Sequence, residues 1–220
     1  MAYRRTENVI RRLHARQNAI VAAARDTAAE GGMAAIQMAA VATRAGIAAG
    51  TVYRYFPGKV ELVGALIASV SERELAATQR AAEAAPGPLS ALAAAVATFA
   101  ARALRDRRLA WAVIAEPVDA EIDAMRIVYR KAFAAQLEGL IRAAIAGGHL
   151  PEQDAALAAP ALVGALLEGL IGPLAPDAGD DPAKARAAVQ TLTLFALRGL
   201  GVLDARARGL VVQIALPEEG

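Results

Sequence analysis

Apolar positions recur at three- and four-residue intervals through most of the chain, and the pattern breaks at glycines and prolines. Ile20, Ala23, Ala24, Thr27 and Ala28 share one face of a helix over Asn18 to Glu30, ended by Gly31-Gly32. A short helix begins near Gln37 and a second covers about Ala49 to Phe56. From Lys59 the periodicity resumes at Leu62, Leu66, Ile67 and Val70 and runs to about Ala85, a long linking helix. Pro86-Gly87-Pro88 is the clearest break. Beyond it the spacing predicts helices over Leu89 to Arg105 and Leu109 to Ala115. Another follows from an Asp119 cap to Ile145, with Met125, Tyr129, Phe133 and Leu137 in one stripe. Pro151 to Leu174 and a helix opened by Pro182 complete the set. The end, from Asp204, is short and mixed, with Leu210 to Leu216 expected to be strand-like or irregular.

Composition strengthens the helical reading. Hydrophobic residues make up 56% of the 220, dominated by alanine, the best helix former. The expected fold is all-α, with about nine helices and a chain long enough for one or two domains. The absence of cysteine excludes disulfides, zinc-thiolate sites and cysteine nucleophiles. The arginine-rich N-terminus does not read as a signal peptide, so the cytoplasm is the expected compartment. Two low-charge stretches, 84–101 and 155–176, carry too much alanine, proline and glycine, or an internal Glu168, to read as membrane spans.

Charge divides the chain unevenly. Residues 1–60 hold nine basic and three acidic side chains, the remainder fifteen and nineteen. A basic end on a mildly acidic body suits a nucleic-acid module carried by a regulatory domain. Arg4, Arg5, Arg11 and Arg12 lie in residues 1–15, read either as a disordered tail or as an arm adding phosphate or minor-groove contacts.

That basic end holds the most informative stretch, Met38 to Lys59. Val41, Ala42 and Ala45 put small apolar groups on one helix, Gly46 supplies a corner, and Val52 with Tyr55 or Phe56 recurs on the next. Pro57-Gly58 stops it. This is the packing of a helix-turn-helix. The outward face of its second helix offers Ala49, Gly50, Thr51, Tyr53, Arg54 and the Tyr55 hydroxyl, followed by Lys59. Small residues let backbone approach DNA, and the polar ones reach phosphates or base edges. Gln37 and Arg44 complete the candidate DNA-binding set.

Ala45-Gly46-Ile47, Gly50-Thr51-Val52-Tyr53, Tyr55-Phe56-Pro57 and Lys59 resemble the DNA-binding domain of TetR-family one-component repressors. The likeness covers about residues 16–63. Ala48 stands where the family usually has serine, Gln37 where Ser or Thr caps, and Ala39 where a basic or polar residue often meets phosphate. The resemblance implies an arm (1–15), a helix-turn-helix domain (16–60), a regulatory ligand-binding and dimerisation domain (61–204) and a tail (205–220). It also implies a homodimer on a pseudo-palindromic operator.

Within the body, the last two long helices are apolar on more than one side, as in a buried or interface helix. In the resembling family such helices form a two-fold four-helix bundle, which points to Leu162, Leu166, Leu170, Val189, Leu192, Ala196 and Leu200 as interface positions. Phe99, Trp111, Met125, Tyr129 and Phe133 concentrate the large side chains and are the candidate lining of a pocket for an apolar or aromatic effector; ordinary core packing is the plain alternative. Glu116, Asp119, Glu121 and Asp123 read as a helix N-terminal acidic cluster rather than a metal site, and no cofactor is expected. His14 and His149 stand apart, and no metalloprotease, phosphate-loop or nucleophile-elbow motif appears. The expectation is a ligand-released repressor and not an enzyme. The alternative is an α-helical small-molecule carrier that does not bind DNA.

Overall fold

A computed structural model describes residues 2–176 and 181–213, with side chains from residue 9 onward. Ten helices follow one another among them: α1 (Ala2–Ala35), α2 (Met38–Arg44), α3 (Ala49–Tyr55), α4 (Lys59–Glu83), α5 (Pro88–Arg105), α6 (Arg107–Ile114), α7 (Ala120–Ala146), α8 (Ala155–Leu170), α9 (Pro182–Gly199) and α10 (Asp204–Gln213). There is no strand among the described residues.

Most boundaries fall within a few residues of the periodicity, and the differences have local causes. α1 begins at Ala2, so the described part of the basic arm continues the first helix instead of forming a loose tail. Gly32, not Gly31, breaks it, at φ 76° and ψ −173°, a region essentially reserved for glycine. α8 starts at Ala155 instead of Pro151 because the Asp154 side chain accepts from the amides of Ala156 (3.0 Å) and Leu157 (3.3 Å). Asp181 caps α9 in the same way. Asp119 occupies the N-cap of α7, but its side chain accepts no capping bond. The segment expected to be strand-like is helical as far as Gln213, with Ala207 buried. Leu216 lies outside the described residues.

Two hydrophobic cores form, and α4 runs through both. Its first half places Leu62, Val63, Leu66 and Ile67 among Ile20, Ile36, Val41, Val52 and Phe56. Its last turns bring Ala82 into a larger core built on α5, with Leu92, Val96, Leu137, Ile141, Leu166, Leu170 and Leu197. α6 gives Ala110 to the larger core and its other buried residues to the first. Leu109, Ala112 and Val113, with Ile122 of α7, bury against α1 and α4. The DNA-facing end and the body therefore share a packed seam, and a movement of α6 is felt by α1 directly. No helix among the described residues is long and apolar enough to cross a membrane.

Candidate nucleic-acid interface and effector cavity

α2 and α3 form a short two-helix unit with a tight corner. Gly46 stands at φ 65°, and a Cβ there would meet nothing, so the backbone angle alone selects glycine. The Ile47 amide closes the turn on the Ala42 carbonyl at 3.0 Å. Neither Gln37 nor Ala48, at the two N-caps, makes a side-chain cap; Gln37 Nε2 instead donates to the Ala34 carbonyl at 3.3 Å. α3 is held on one side by buried Val52, with Phe56 following its last turn. At 100° per residue, Gly50 and Arg54 lie opposite Val52, flanked by Tyr53 and Thr51, while Ala49, expected on this face, turns toward Val52 and packs half-buried against the first core. Tyr53 is 51% exposed and Arg54 is exposed. This is a face on which small groups sit beside an extended donor.

The other candidates divide. Thr51 is half-buried on the flank, and Tyr55 packs its ring against the first core. Lys59 opens α4, half-buried. Arg44 is not a free cation: its guanidinium clasps Glu30 of α1 through two nitrogens, Nη1 donating to Oε1 at 2.9 Å. That pair holds the Glu30 carboxyl below the usual carboxylate range and raises the Arg44 pKa.

In the body, a cavity of about 180 Å³ opens between α4, α5, α6, α7 and α8. Phe99 and Phe133 form one wall, their rings stacked with centroids 4.6 Å apart. Val70, Leu109, Val113 and Leu167 extend it. Of the five expected lining residues, Phe99, Tyr129 and Phe133 are there and Trp111 and Met125 are not. Leu109, Ala110, Val113 and Ile114 present one side of α6 to the cavity, which turns Trp111 away. Met125 packs over Gly64 of α4, where a Cβ would stand 2.9 Å from its sulfur. The Tyr129 hydroxyl donates to Glu72 Oε1 at 3.4 Å; burial, then Glu72, raises its pKa.

The cavity wall also carries residues that the apolar stripe concealed. Arg126 and Arg130 stand at i and i+4 on the same side of α7 as Tyr129 and Phe133. Arg126 is 3% exposed. Its Nη1 donates to the Glu116 carbonyl (2.6 Å) and its Nη2 to the Ala112 carbonyl (2.5 Å), while Arg130 Nη2 donates to the Ile114 carbonyl (2.6 Å). Burial lowers the Arg126 pKa, Arg130 adds to the effect, and nearby Asp123 and Glu116 oppose it. The wall also includes Glu74, paired with Arg102 (Nη2 to Oε1, 2.8 Å), and Asp106, 3.8 Å from Arg25. Glu116 links this wall to the other end of the molecule. Its Oε2 accepts from the amide of Met33 at 3.0 Å, immediately after the Gly32 kink. Among the described residues no cluster of His, Asp or Glu could hold a metal ion.

The expected interface residues lie inside the chain's own core. Leu162, Leu166, Leu170, Val189, Ala196 and Leu200 are buried within one chain, and Leu192 is half-buried against the Gly169 backbone. The outward faces of α8 and α9 carry other residues: Leu157 (69% exposed), Ala161 and Gly164 on α8, and Ala187, Thr191 and Phe195 (56%) on α9.

Residues 20–66, which span α2, α3 and their supports, match the model of the bacterial regulatory proteins of the tetR family. This N-terminal unit is similar to the tetR family. A stretch of 77 residues is 46% identical to the HTH-type transcriptional repressor KstR of Mycolicibacterium smegmatis, covering 35% of this chain and 38% of that one. The tetR-family likeness to curated relatives thus spans little more than a third of their length. The fold likeness extends much further. The transcriptional regulator FadR from Bacillus subtilis, in complex with stearoyl-CoA, superposes with a TM-score of 0.71 at 21% identity, over 82% of this chain and 97% of that one. RolR in complex with resorcinol superposes at 0.65 and 20% identity, over 95% and 98%. At these identities the likeness is one of fold.

Proposed function

We propose that the chain is a homodimeric transcriptional repressor that binds a pseudo-palindromic operator and is released by a small molecule in the α4–α8 cavity. The observation that carries the reading is the α3 face, with Gly50, Tyr53 and Arg54 turned to solvent beside a glycine corner, in a segment matched by the family model. Relatives matched over about a third of this chain are described as repressors. FadR with stearoyl-CoA and RolR with resorcinol support a ligand-responsive body. Such a protein works in the cytoplasm, where its DNA is.

Affinity comes from Arg and Lys side chains displacing counterions at phosphates, and specificity from the α3 face. Arg54 is the best-placed side chain for a bidentate guanine contact; Tyr53 and Lys59 would brace the backbone. One α3 is seven residues long and reads few bases. Two copies one DNA turn apart, roughly 34 Å, double the contacts. The outward faces of α8 and α9, rich in small residues around Leu157 and Phe195, are the surfaces proposed to pair across the two-fold axis. Ligand acts by favouring one orientation of α4 and α6 over another, and only as far as its affinities for the two states differ.

The test is binding to the DNA flanking the chain's own gene, at two salt concentrations, for wild type and Arg54→Ala. The expected result is tight wild-type binding that weakens with salt, and a mutant that loses sequence preference. Failure to bind that DNA, and failure to select any duplex from a random pool, would instead favour a carrier that uses the cavity alone.

A further inference from the structure

We infer that the cavity takes an apolar organic anion, an aryl or alkyl carboxylate, whose charged group is received by Arg126 and Arg130. The inference rests on the ligand-responsive reading and narrows its ligand from apolar molecules in general to a chemical class.

A cavity for a neutral apolar ligand has no use for two guanidiniums in its wall. Burying a charge is costly unless it is paired, and two like charges one helical turn apart repel. Arg126 is 3% exposed, and neither it nor Arg130 takes part in an ion pair among the described residues. Each binds backbone carbonyls of the α6 end through its terminal nitrogens. Each keeps its Nε buried with no protein acceptor. The two carboxylates of the wall are already engaged, Glu74 with Arg102 and Asp106 with Arg25. The wall therefore has a surplus of positive charge, and two guanidiniums without a carboxylate partner on the same side of α7. On that same side of α7, Phe133 stacks its ring on Phe99. A carboxylate in the cavity meets this unpaired charge, accepting from guanidinium N–H groups that face the space, while its tail lies on the aromatic wall. Such an anion also neutralises the repulsion between the arginines. It does so at the residues that hold the Ala112, Ile114 and Glu116 carbonyls, the end of α6 tied to α1.

The test uses matched pairs that differ only in charge: decanoate against decan-1-ol, and benzoate against benzyl alcohol. Binding to the full-length protein is read by Trp111 fluorescence and by the melting temperature, at pH 8. Wild type should bind at least one carboxylate roughly tenfold or more tighter than its alcohol, the scale of a charge-assisted hydrogen bond. Arg130→Gln should abolish that preference, and Arg130→Lys should retain part of it. Equal affinity for acid and alcohol in wild type, no binding by either member of both pairs, or a preference that survives Arg130→Gln would overturn the inference. The wild-type comparison stands even if a variant fails to fold. DNA binding is measured on the same samples. A carboxylate that binds with the predicted preference and leaves operator affinity unchanged would sink the ligand-released reading and leave the site standing.

Discussion

Two glycines separate two reasons for a missing side chain. At Gly46 the constraint is φ 65° with open space around it, so Gly46→Ala should cost about 1–2 kcal/mol in urea unfolding, the price of left-handed backbone. At Gly32 a Cβ would also lie 2.5 Å from Arg108 Nη2 and 2.6 Å from Glu116 Oε2. Gly32→Ala should therefore be the worse of the two, and equal costs would show that the Glu116 contact yields freely. Arg44 illustrates what a sequence hides about a charge. Its spacing suits a phosphate contact, but it is clasped to Glu30, fourteen residues away on another helix. Arg44→Ala should scarcely move the urea midpoint, since exposed pairs contribute little. If Arg44 also reaches phosphate, the mutant lowers the slope of log affinity against log salt by about one. The Glu30 carboxyl is held below its ordinary pKa. The clasp's contribution is thus complete above that ordinary value and fades as pH falls through the lowered one.

The helices were legible wherever one face is apolar and the ends carry glycine or proline: α3 through α7 start and stop close to where the spacing puts them. Caps made by aspartate moved the start of α8, and the chain beyond Asp204 lacked a clear stripe yet packs Ala207 beneath α9. The cavity was only partly legible. Large side chains announced Phe99, Tyr129 and Phe133, but size does not tell which side of α6 Trp111 takes. Arg126 and Arg130 could have been found: they repeat at i+4 on the same stripe, a charged pair where apolar residues were expected. The expected interface positions are where burial departs most from expectation, since they are buried or half-buried within one chain. Large residues of α8 and α9 go inward, and smaller ones, with Leu157 and Phe195, stay outside. Leu166→Ala should accordingly cost about 2–5 kcal/mol of stability in each chain. Leu157→Asp with Phe195→Asp should leave folding intact and halve the mass in light scattering. A dimer that survives both charges would place the interface elsewhere. Just beyond α6, Glu116→Ala leaves the buried Met33 amide without its acceptor and should cost about 1–3 kcal/mol, with Glu116→Gln recovering most of it.

At the scale of the whole molecule, the shared seam explains how one end could inform the other without a hinge. α4 passes through both cores, α6 lies mainly in the first, and Arg126 ties the cavity wall to α6. In the proposed dimer two such chains present two α3 helices to DNA in a fixed relation. The most direct measurement is selection from a pool of random duplexes with the purified protein, followed by sequencing of the bound fraction. The account predicts an inverted repeat whose half-site centres lie about one helical turn apart, or a multiple of it. Enrichment of a single unrepeated site, or of no sequence at all, would contradict it.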